Sequence, residues 1–276
     1  MAELNQKFSV CMSVYKNDNT RDFADAVLSI YNQTCPPDEI ILVIDGPVPQ
    51  IMLDTINALE EKTGIMKVLP FEKNRGHAAA RQAGLDHARN ELCAVMDADD
   101  VSVSNRFEMQ LKAFEQHPEV SVVGGLINEF IHTTKNVVGT RKVPEYDADI
   151  KDYLKSRCPM NLVTVMLKKS DVMKVGGYQN WYCEEDYYLW IRLTLGGFKF
   201  YNIQENLVDV RVGEEMYQRR GGKRYFDSEA RLQKYMLDHK IISWPKYAYN
   251  VLIRWAVQVA MPNKVRGWVF QKIARK

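Results

Sequence analysis

Several signatures are missing from this chain, and each absence removes a class of answer. The five cysteines (Cys11, Cys35, Cys93, Cys158 and Cys183) are scattered, odd in number and never spaced Cys-x-x-Cys. That pattern excludes a disulfide framework or a zinc ribbon and points to reduced thiols in a cytoplasmic protein. Neither Gly-x-Gly-x-x-Gly nor Gly-x-x-x-x-Gly-Lys occurs, so the dinucleotide fingerprint and the P-loop are both absent. No apolar run is long enough to span a bilayer. Met1 to Lys7 is polar, without the apolar stretch of a secretory signal. No internal repeat or low-complexity segment is visible. After Asp238 there is no Asp or Glu, while eight Lys and Arg residues follow. A chain of net charge +2 thus has an acidic body and a basic end, and such an end suits an anionic partner.

What is present is an ordinary globular composition, 46% hydrophobic and 26% charged over 276 residues. That length fits one large domain or two small ones. The chain is organised around Val95-Met96-Asp97-Ala98-Asp99-Asp100-Val101. Leu92 to Met96 reads as a short buried strand that ends in three carboxylates. Alternation along a strand puts Asp97 and Asp99 on the same side, where their charges repel. A hard divalent cation such as Mg²⁺ or Mn²⁺ relieves that repulsion and keeps coordination positions open for phosphates. An acidic turn closing a strand is the other reading these residues allow.

Around that stretch the chain alternates. Phe8 to Tyr15 reads as a strand. Thr20 or Asp22 can cap a helix running to Gln33, with Phe23, Ala26, Val27 and Ile30 on one face and Pro36-Pro37 as its stop. Glu39 to Ile44 is a continuous apolar strand ending in Asp45-Gly46-Pro47, and the next helix turns Ile51, Ile56 and Leu59 inward. Met66 to Phe71 is a third strand, and Asn74-Arg75-Gly76-His77 leads into an Ala-rich helix over Ala78 to Arg89. Strand–helix units in this order predict a parallel sheet with helices on both faces and ligands outside the carboxyl ends of its strands. Polar residues gather at four such ends: Tyr15-Lys16-Asn17, Asp45-Gly46, Lys73 to Gly76, and Asp97 to Asp100. Beyond them, Arg106 to His117 is a helix, Val120 to Ile131 and Asn136 to Val143 are antiparallel strands, Asp149 to Ser156 is a short helix, and Asn161 to Lys168 is a strand. Gly176-Gly177-Tyr178 is a turn. Glu184-Glu185-Asp186 then heads a helix carrying Leu189, Trp190 and Leu193, its acids lying where the helix dipole favours them. Phe198 to Ile203 and Leu207 to Val212 read as two closing strands.

Six motifs in order resemble the inverting, family-two nucleotide-sugar glycosyltransferases of GT-A fold, over residues 8 to 212. Ser9 to Asp18 resembles the family's first strand, with Ser13 in place of its proline. Asn32-Gln33-Thr34 is similar to its first helix end. Asp45-Gly46 resembles "D-D-G-S", with Ile44 replacing the first Asp, and Asn74 to Arg81 resembles "N-x-G-x-x-x-A-R-N". Asp97-Ala98-Asp99-Asp100 resembles "D-x-D-D". Glu185-Asp186 with Trp190 and Arg192 resembles "E-D-x-x-L-W-x-R". The resemblance implies a Rossmann-like α/β sheet with a donor half over residues 1–105 and an acceptor half over 106–212. It implies a UDP-sugar pocket of Tyr15, Asn17, Asp45, Asn74, Arg75, Asp97, Ala98, Arg211, Arg219 and Arg220, with Asp45 accepting from a uracil N–H. Asp97 and Asp99 would hold Mn²⁺ or Mg²⁺, and Asp186 would be the general base, with Glu185 as its competitor. The family's late His, a third metal ligand, is missing: the chain reads Val210-Arg211-Val212-Gly213. Arg219 to Arg224 is either a basic flap over the diphosphate or a solvated loop.

The function this implies is transfer of a hexose or N-acetylhexosamine to a saccharide acceptor carried on a lipid diphosphate of surface-polysaccharide assembly, at the inner face of a bacterial membrane and with no nucleic acid partner. Two other readings stand beside it. Asp97 to Val101 also resembles the D-x-D-x-V signature of haloacid-dehalogenase phosphatases, although three strand–helix units precede it here. A non-catalytic nucleotide-binding partner is the second. In the region after residue 213, Tyr247 to Met261 has a helical pattern with Ala248, Val251, Leu252, Trp255 and Val259 on one side and Asn250, Arg254 and Gln258 on the other. A second helix would carry Val265, Trp268, Val269 and Ile273. Cationic, Trp-bearing amphipathic helices suit an anionic membrane interface, and the same pattern suits a helix pair packed on the body.

Overall fold

The structure is a computed structural model and describes residues 6–213 and 222–260. The chain opens with β1 (Phe8–Val14), α1 (Thr20–Tyr31), β2 (Glu39–Ile44), α2 (Gln50–Thr63), β3 (Met66–Pro70), α3 (His77–His87) and β4 (Leu92–Val95). Then come β5 (Val101–Ser102), α4 (Arg106–Gln116), β6 (Val122–Phe130), β7 (Val137–Arg141), α5 (Asp147–Leu154), β8 (Met166–Lys168), α6 (Lys169–Lys174), α7 (Glu185–Leu195) and β9 (Phe200–Arg211). Two helices, α8 (Lys223–Asp238) and α9 (Trp244–Trp255), follow.

Among the described residues one sheet runs in the order β3-β2-β1-β4-β8-β6-β9-β5, with β7 paired to β6. Its first four strands are parallel, as strand–helix alternation requires, because each crossover helix returns the chain to the same end. β8 then enters antiparallel to β4 and β6 antiparallel to β8, so the half of the sheet beyond β4 is mixed. The inner strands β1, β2 and β4 are almost wholly buried because both of their faces are covered. In β1, Phe8, Val10, Met12 and Val14 join the core under α1, α2 and α4, while Cys11 joins the core under α3, α5, α7 and α8.

Several sequence expectations shift. α1 is capped by Asn19, whose side chain accepts from the N–H groups of Arg21 and Asp22, in place of Thr20 or Asp22. Ile51 is exposed, and Met52 takes the inward position beside Ile56 and Leu59. Asn161 to Lys168 is a 3₁₀ turn (Leu162–Thr164) followed by a short strand. The two closing strands are one, β9, which pairs with β6 across a register irregularity near Leu126 that absorbs the polar Gln204-Glu205-Asn206. Helices α6 and α8 carry no signal that the sequence reading used. The second tail helix expected around Trp268 lies outside the described residues.

Candidate active site

Four loops leave the carboxyl ends of β1 to β4 on one edge of the sheet, and the candidate site is built from them. After β1, Tyr15 to Asp18 forms a tight turn: the Tyr15 N–H donates to the Asp18 carboxylate at 2.9 Å, and Asn17 stands exposed on it. After β2, Asp45 is buried, and its carboxylate accepts from Asn74 Nδ2 at 2.9 Å, the Arg75 N–H at 2.6 Å and the Gly76 N–H at 2.9 Å. A carboxylate offers about four acceptor sites, so Asp45 organises the β3–α3 loop and keeps one site for a ligand donor. Gly46 makes this possible. It sits at φ +89°, and a Cβ there would lie 2.5 Å from the Asn74 nitrogen. The Arg75 guanidinium lies 4.5 Å over the Phe71 ring.

After β4 the backbone leaves the strand at Val95, so Asp97 and Asp99 stand in a turn, and strand alternation does not set their directions. Ala98 and Asp100 are buried, Asp97 is half-buried and Asp99 is exposed. Protein mass around the loop and then the Asp97 charge push the Asp99 carboxyl up to about 6. Asp100 is raised well above the ordinary range, first by burial and then by Asp99 and Asp97. It accepts from the Arg211 N–H at 2.9 Å. The Arg211 side chain donates to the Asp99 carbonyl at 3.1 Å and pairs with Asp22 at 3.0 Å, so β9 clamps the acidic loop. Beneath it Arg106 is wholly buried and donates to the Val95 carbonyl at 2.9 Å and to Gln110 Oε1 at 3.0 Å. Burial pulls Arg106 down to about 9, with Asp100 opposing, so it remains charged at neutral pH.

One residue joins this loop to α7. Arg81, on α3, donates from Nη2 to Asp97 at 3.2 Å and from Nη1 to Glu185 at 2.5 Å. Burial opposes its charge, but Asp97 and Glu185 outweigh it and hold the guanidinium firmly protonated. Glu185 is thereby committed to an ion pair. The neighbouring Asp186 is not. Its Oδ1 accepts from the Tyr187 N–H at 2.7 Å, and the Cys158 thiol lies 3.7 Å from Oδ2. Burial, then the Glu185 charge, raises the Asp186 carboxyl, while Arg81 pulls it down. Burial also raises the Cys158 thiol, so it is an S–H donor.

Arg192, within the α7 motif, serves structure: it donates to the Val175 and Gly177 carbonyls at 2.6 and 2.7 Å. Arg219 and Arg220 lie outside the described residues. Sequence reasoning assigned no role to Arg81, Cys158 or Arg106. Arg81 had a usable signal, since it falls on the same stripe of α3 as Ala78 and Leu85, and a charge on a buried stripe demands buried partners. Cys158 and Arg106 had none. A separate cavity, lined by His117, Tyr146, Phe200 and Tyr201, opens at the amino ends of β6 and β9 and contains none of these groups.

The model of Glycosyl transferase family 2 matches residues 9–175, which covers β1 through α6. Over all 276 residues the chain is 34% identical to the UDP-Gal:alpha-D-GlcNAc-diphosphoundecaprenol beta-1,3-galactosyltransferase of Escherichia coli, spanning 99% of that protein. The chain belongs to glycosyltransferase family 2. It is therefore an inverting glycosyltransferase, and the phosphatase and non-catalytic readings are set aside. A second family member, the amylovoran biosynthesis glycosyltransferase AmsE of Erwinia amylovora, is 32% identical over 96% of this chain and 98% of its own length. Among solved structures, S. aureus TarS in complex with UDP-GlcNAc superposes with a TM-score of 0.66 at 16% identity, over 91% of this chain and 73% of that one. That likeness shows the GT-A fold for this family-2 chain.

Proposed function

We propose that this family-2 enzyme moves galactose, or a related hexose or N-acetylhexosamine, from a UDP-sugar to a hydroxyl of a lipid-diphosphate-linked saccharide in surface-polysaccharide assembly, on the inner face of the cell membrane. The observation that supports the reading is the Arg81 bridge, one guanidinium paired with both Asp97 of the acidic loop and Glu185, the neighbour of Asp186. The E. coli relative's name, which specifies UDP-Gal and a GlcNAc-diphosphoundecaprenol acceptor, supports the donor and acceptor classes. In this reading residues 1–105 hold the donor, 106–212 the acceptor, and 213–276 the membrane side.

Asp45 accepts from the uracil with its remaining acceptor site, while Tyr15, Asn17, Asn74 and Arg75 line the nucleoside. Asp186 accepts the acceptor's hydroxyl proton as that oxygen attacks the anomeric carbon. The bond from that carbon to the diphosphate oxygen breaks on the opposite side, and UDP leaves with the bonding pair. Arg81 keeps Asp97 and Glu185 from adding further repulsion to Asp186 as it takes the proton.

Asp97 and Asp99 fit a divalent cation: they are two hard oxygen donors, and Asp99 is raised by burial and then by the Asp97 charge. Among the described residues no set of three His, Cys, Asp or Glu side chains is grouped to hold a metal. Mg²⁺ or Mn²⁺ would therefore take its other ligands from the diphosphate and water, as Mg²⁺ commonly does. When bound, it supplies Lewis acidity to the departing diphosphate.

The test is a panel of UDP-sugars with a GlcNAc-diphospholipid acceptor, with and without chelator. Acceptor-dependent UDP release and a β-linked product, both lost on chelation and restored by Mn²⁺, are the expected result. Turnover that is indifferent to chelator removes the metal from the mechanism, and no turnover of any UDP-sugar removes the donor assignment.

A further inference from the structure

Helix α9 is amphipathic in the opposite sense to a packed surface helix. Its polar side faces the protein. Asn250 is buried and donates to the Lys155 carbonyl and to Gln233 Oε1, each at 2.8 Å. Arg254 donates to the Ser156 carbonyl at 2.8 Å and forms a largely buried pair with Glu229 of α8 at 3.2 Å. Gln258, one turn on, is buried and donates to the same Glu229. The apolar side faces outward. Trp244 is 67% exposed and Leu252 63%, with Tyr249, Ile253, Trp255 and Val259 exposed beside them. Half of the large apolar side chains exposed among the described residues lie in this one stretch. At 100° per residue the first five share one half of the circumference of α9 and Asn250 and Arg254 occupy the other, and the π-helical turn Ala256–Ala260 that continues α9 buries Gln258 and exposes Val259.

An aqueous helix does not hold its polar face with buried hydrogen bonds and leave two Trp in water without an occupant for them. Charge identifies the occupant. The chain after Asp238 holds only basic ionisable side chains apart from His239, Tyr247 and Tyr249, with Lys240 and Lys246 flanking the start of α9 and Lys264, Arg266, Lys272, Arg275 and Lys276 beyond it. Indole rings beside lysines match the interface of an anionic bilayer, where rings settle at the headgroup level and cations meet lipid phosphates. No helix among the described residues is long and apolar enough to cross a membrane, so the mode is lying on the surface.

We propose that the outward face of α9, from Trp244 to Val259, is a docking surface for anionic phospholipid. The inference rests on the reading that the acceptor is lipid-linked, and it gives that reading a geometry. The carbonyls that α9 holds, Lys155 and Ser156, lead directly to Cys158, which touches Asp186. Helix α8 holds the other approach to the base: Tyr225 donates to Glu184 at 2.8 Å, and Ser228 donates to the Tyr182 carbonyl at 2.6 Å. The membrane-facing pair therefore grips both segments flanking the general base, and a lipid-borne hydroxyl would arrive on that side.

The experiment is sedimentation of the full chain with phosphatidylglycerol and with phosphatidylcholine vesicles, at low and high salt, for wild type and a Leu252→Glu/Val259→Glu variant. Wild type should bind phosphatidylglycerol at low salt and be released by high salt. The variant should bind about ten-fold or more weakly, with an unchanged unfolding curve and unchanged hydrolysis of UDP-sugar. Wild type remaining in the supernatant at low salt, equal binding to both lipids, or undiminished binding by the variant overturns the proposal. So does a lipid-free dimer that the variant splits, since a second copy would then own the face. Vesicle binding without turnover of any UDP-sugar upholds this surface and sinks the transfer assignment. Turnover without vesicle binding does the reverse.

Discussion

At the scale of single residues, the division of labour between Glu185 and Asp186 follows from what each already touches. Glu185 is held by Arg81, while Asp186 faces a thiol and its own helix N-terminus. Asp186→Asn should lower kcat by about 10²- to 10⁴-fold, the usual range for a lost general base, with UDP affinity by calorimetry within a few-fold of wild type. Because the folded state raises the Asp186 carboxyl, its ionised form costs stability above that raised value, so the same variant should unfold no earlier in urea than wild type. Near-normal turnover would transfer the role to Glu185. The raised carboxyl also sets the pH profile. With Asp186 in the proposed role, activity requires the deprotonated acid and should fall as pH drops through a value above the ordinary carboxylate range. The single Cys158 thiol proton is shared between the Met160 carbonyl at 3.5 Å and the Asp186 carboxylate at 3.7 Å, so Cys158→Ala should move this acidic limb modestly further up, and Cys158→Ser should largely restore it. Arg81→Ala leaves Asp97, Glu185 and Asp186 facing one another. Breaking such a pair costs about 3–5 kcal/mol when buried, and the low end is expected here because Asp97 is open to water. Urea unfolding would read the loss, and Arg81→Lys should not repair it, since an ammonium cannot span two carboxylates as a fork does.

At the scale of elements, the donor edge depends on a loop that meets another loop. Gly46→Ala places a Cβ against the Asn74 backbone in a conformation that L residues resist by about 1–2 kcal/mol before any clash is counted. The β3–α3 loop must then move off Asp45. UDP binding should weaken by about ten-fold or more, a loss of roughly 1.4 kcal/mol, with little change in the catalytic pH limb. Unchanged affinity would show that the nucleoside does not use this loop. The tail helices make a second such dependence. Truncation before Trp244 removes Asn250 and Arg254 from the Lys155 and Ser156 carbonyls, so transfer to a short water-soluble acceptor should also fall. Substitutions on the outer face of α9 should leave that activity alone, and comparing the two separates anchoring from support of the site.

At the scale of the whole molecule, the parallel strands β1 to β4 continue without a break into a mixed half, and helices pack on both faces of the sheet. Charge is arranged by layer. Carboxylates cluster at the carboxyl ends of β1 to β4, Arg81, Arg106 and Arg211 brace that edge from α3, α4 and β9, and the sequence after Asp238 carries Lys and Arg without Asp or Glu.

Sequence alone determined the repeated strand–helix order, the parallel strands β1 to β4 and the acidic loop after β4. Those features rest on local periodicity and on short polar breaks, which neighbouring residues encode. The motifs from Ser9 to Arg192 carried the family for the same reason. Tertiary structure decided what distant segments do to one another. A helix from residue 77 onward pairs with an acid at 185, a thiol at 158 reaches the base, and α9 turns its polar side inward. Amphipathic spacing shows that a helix has two faces, but only the partners offered by α8 and the 155–158 segment decide which face is buried. Glu229 and the carbonyls of Lys155 and Ser156 offered hydrogen bonds, and the apolar face was left outside.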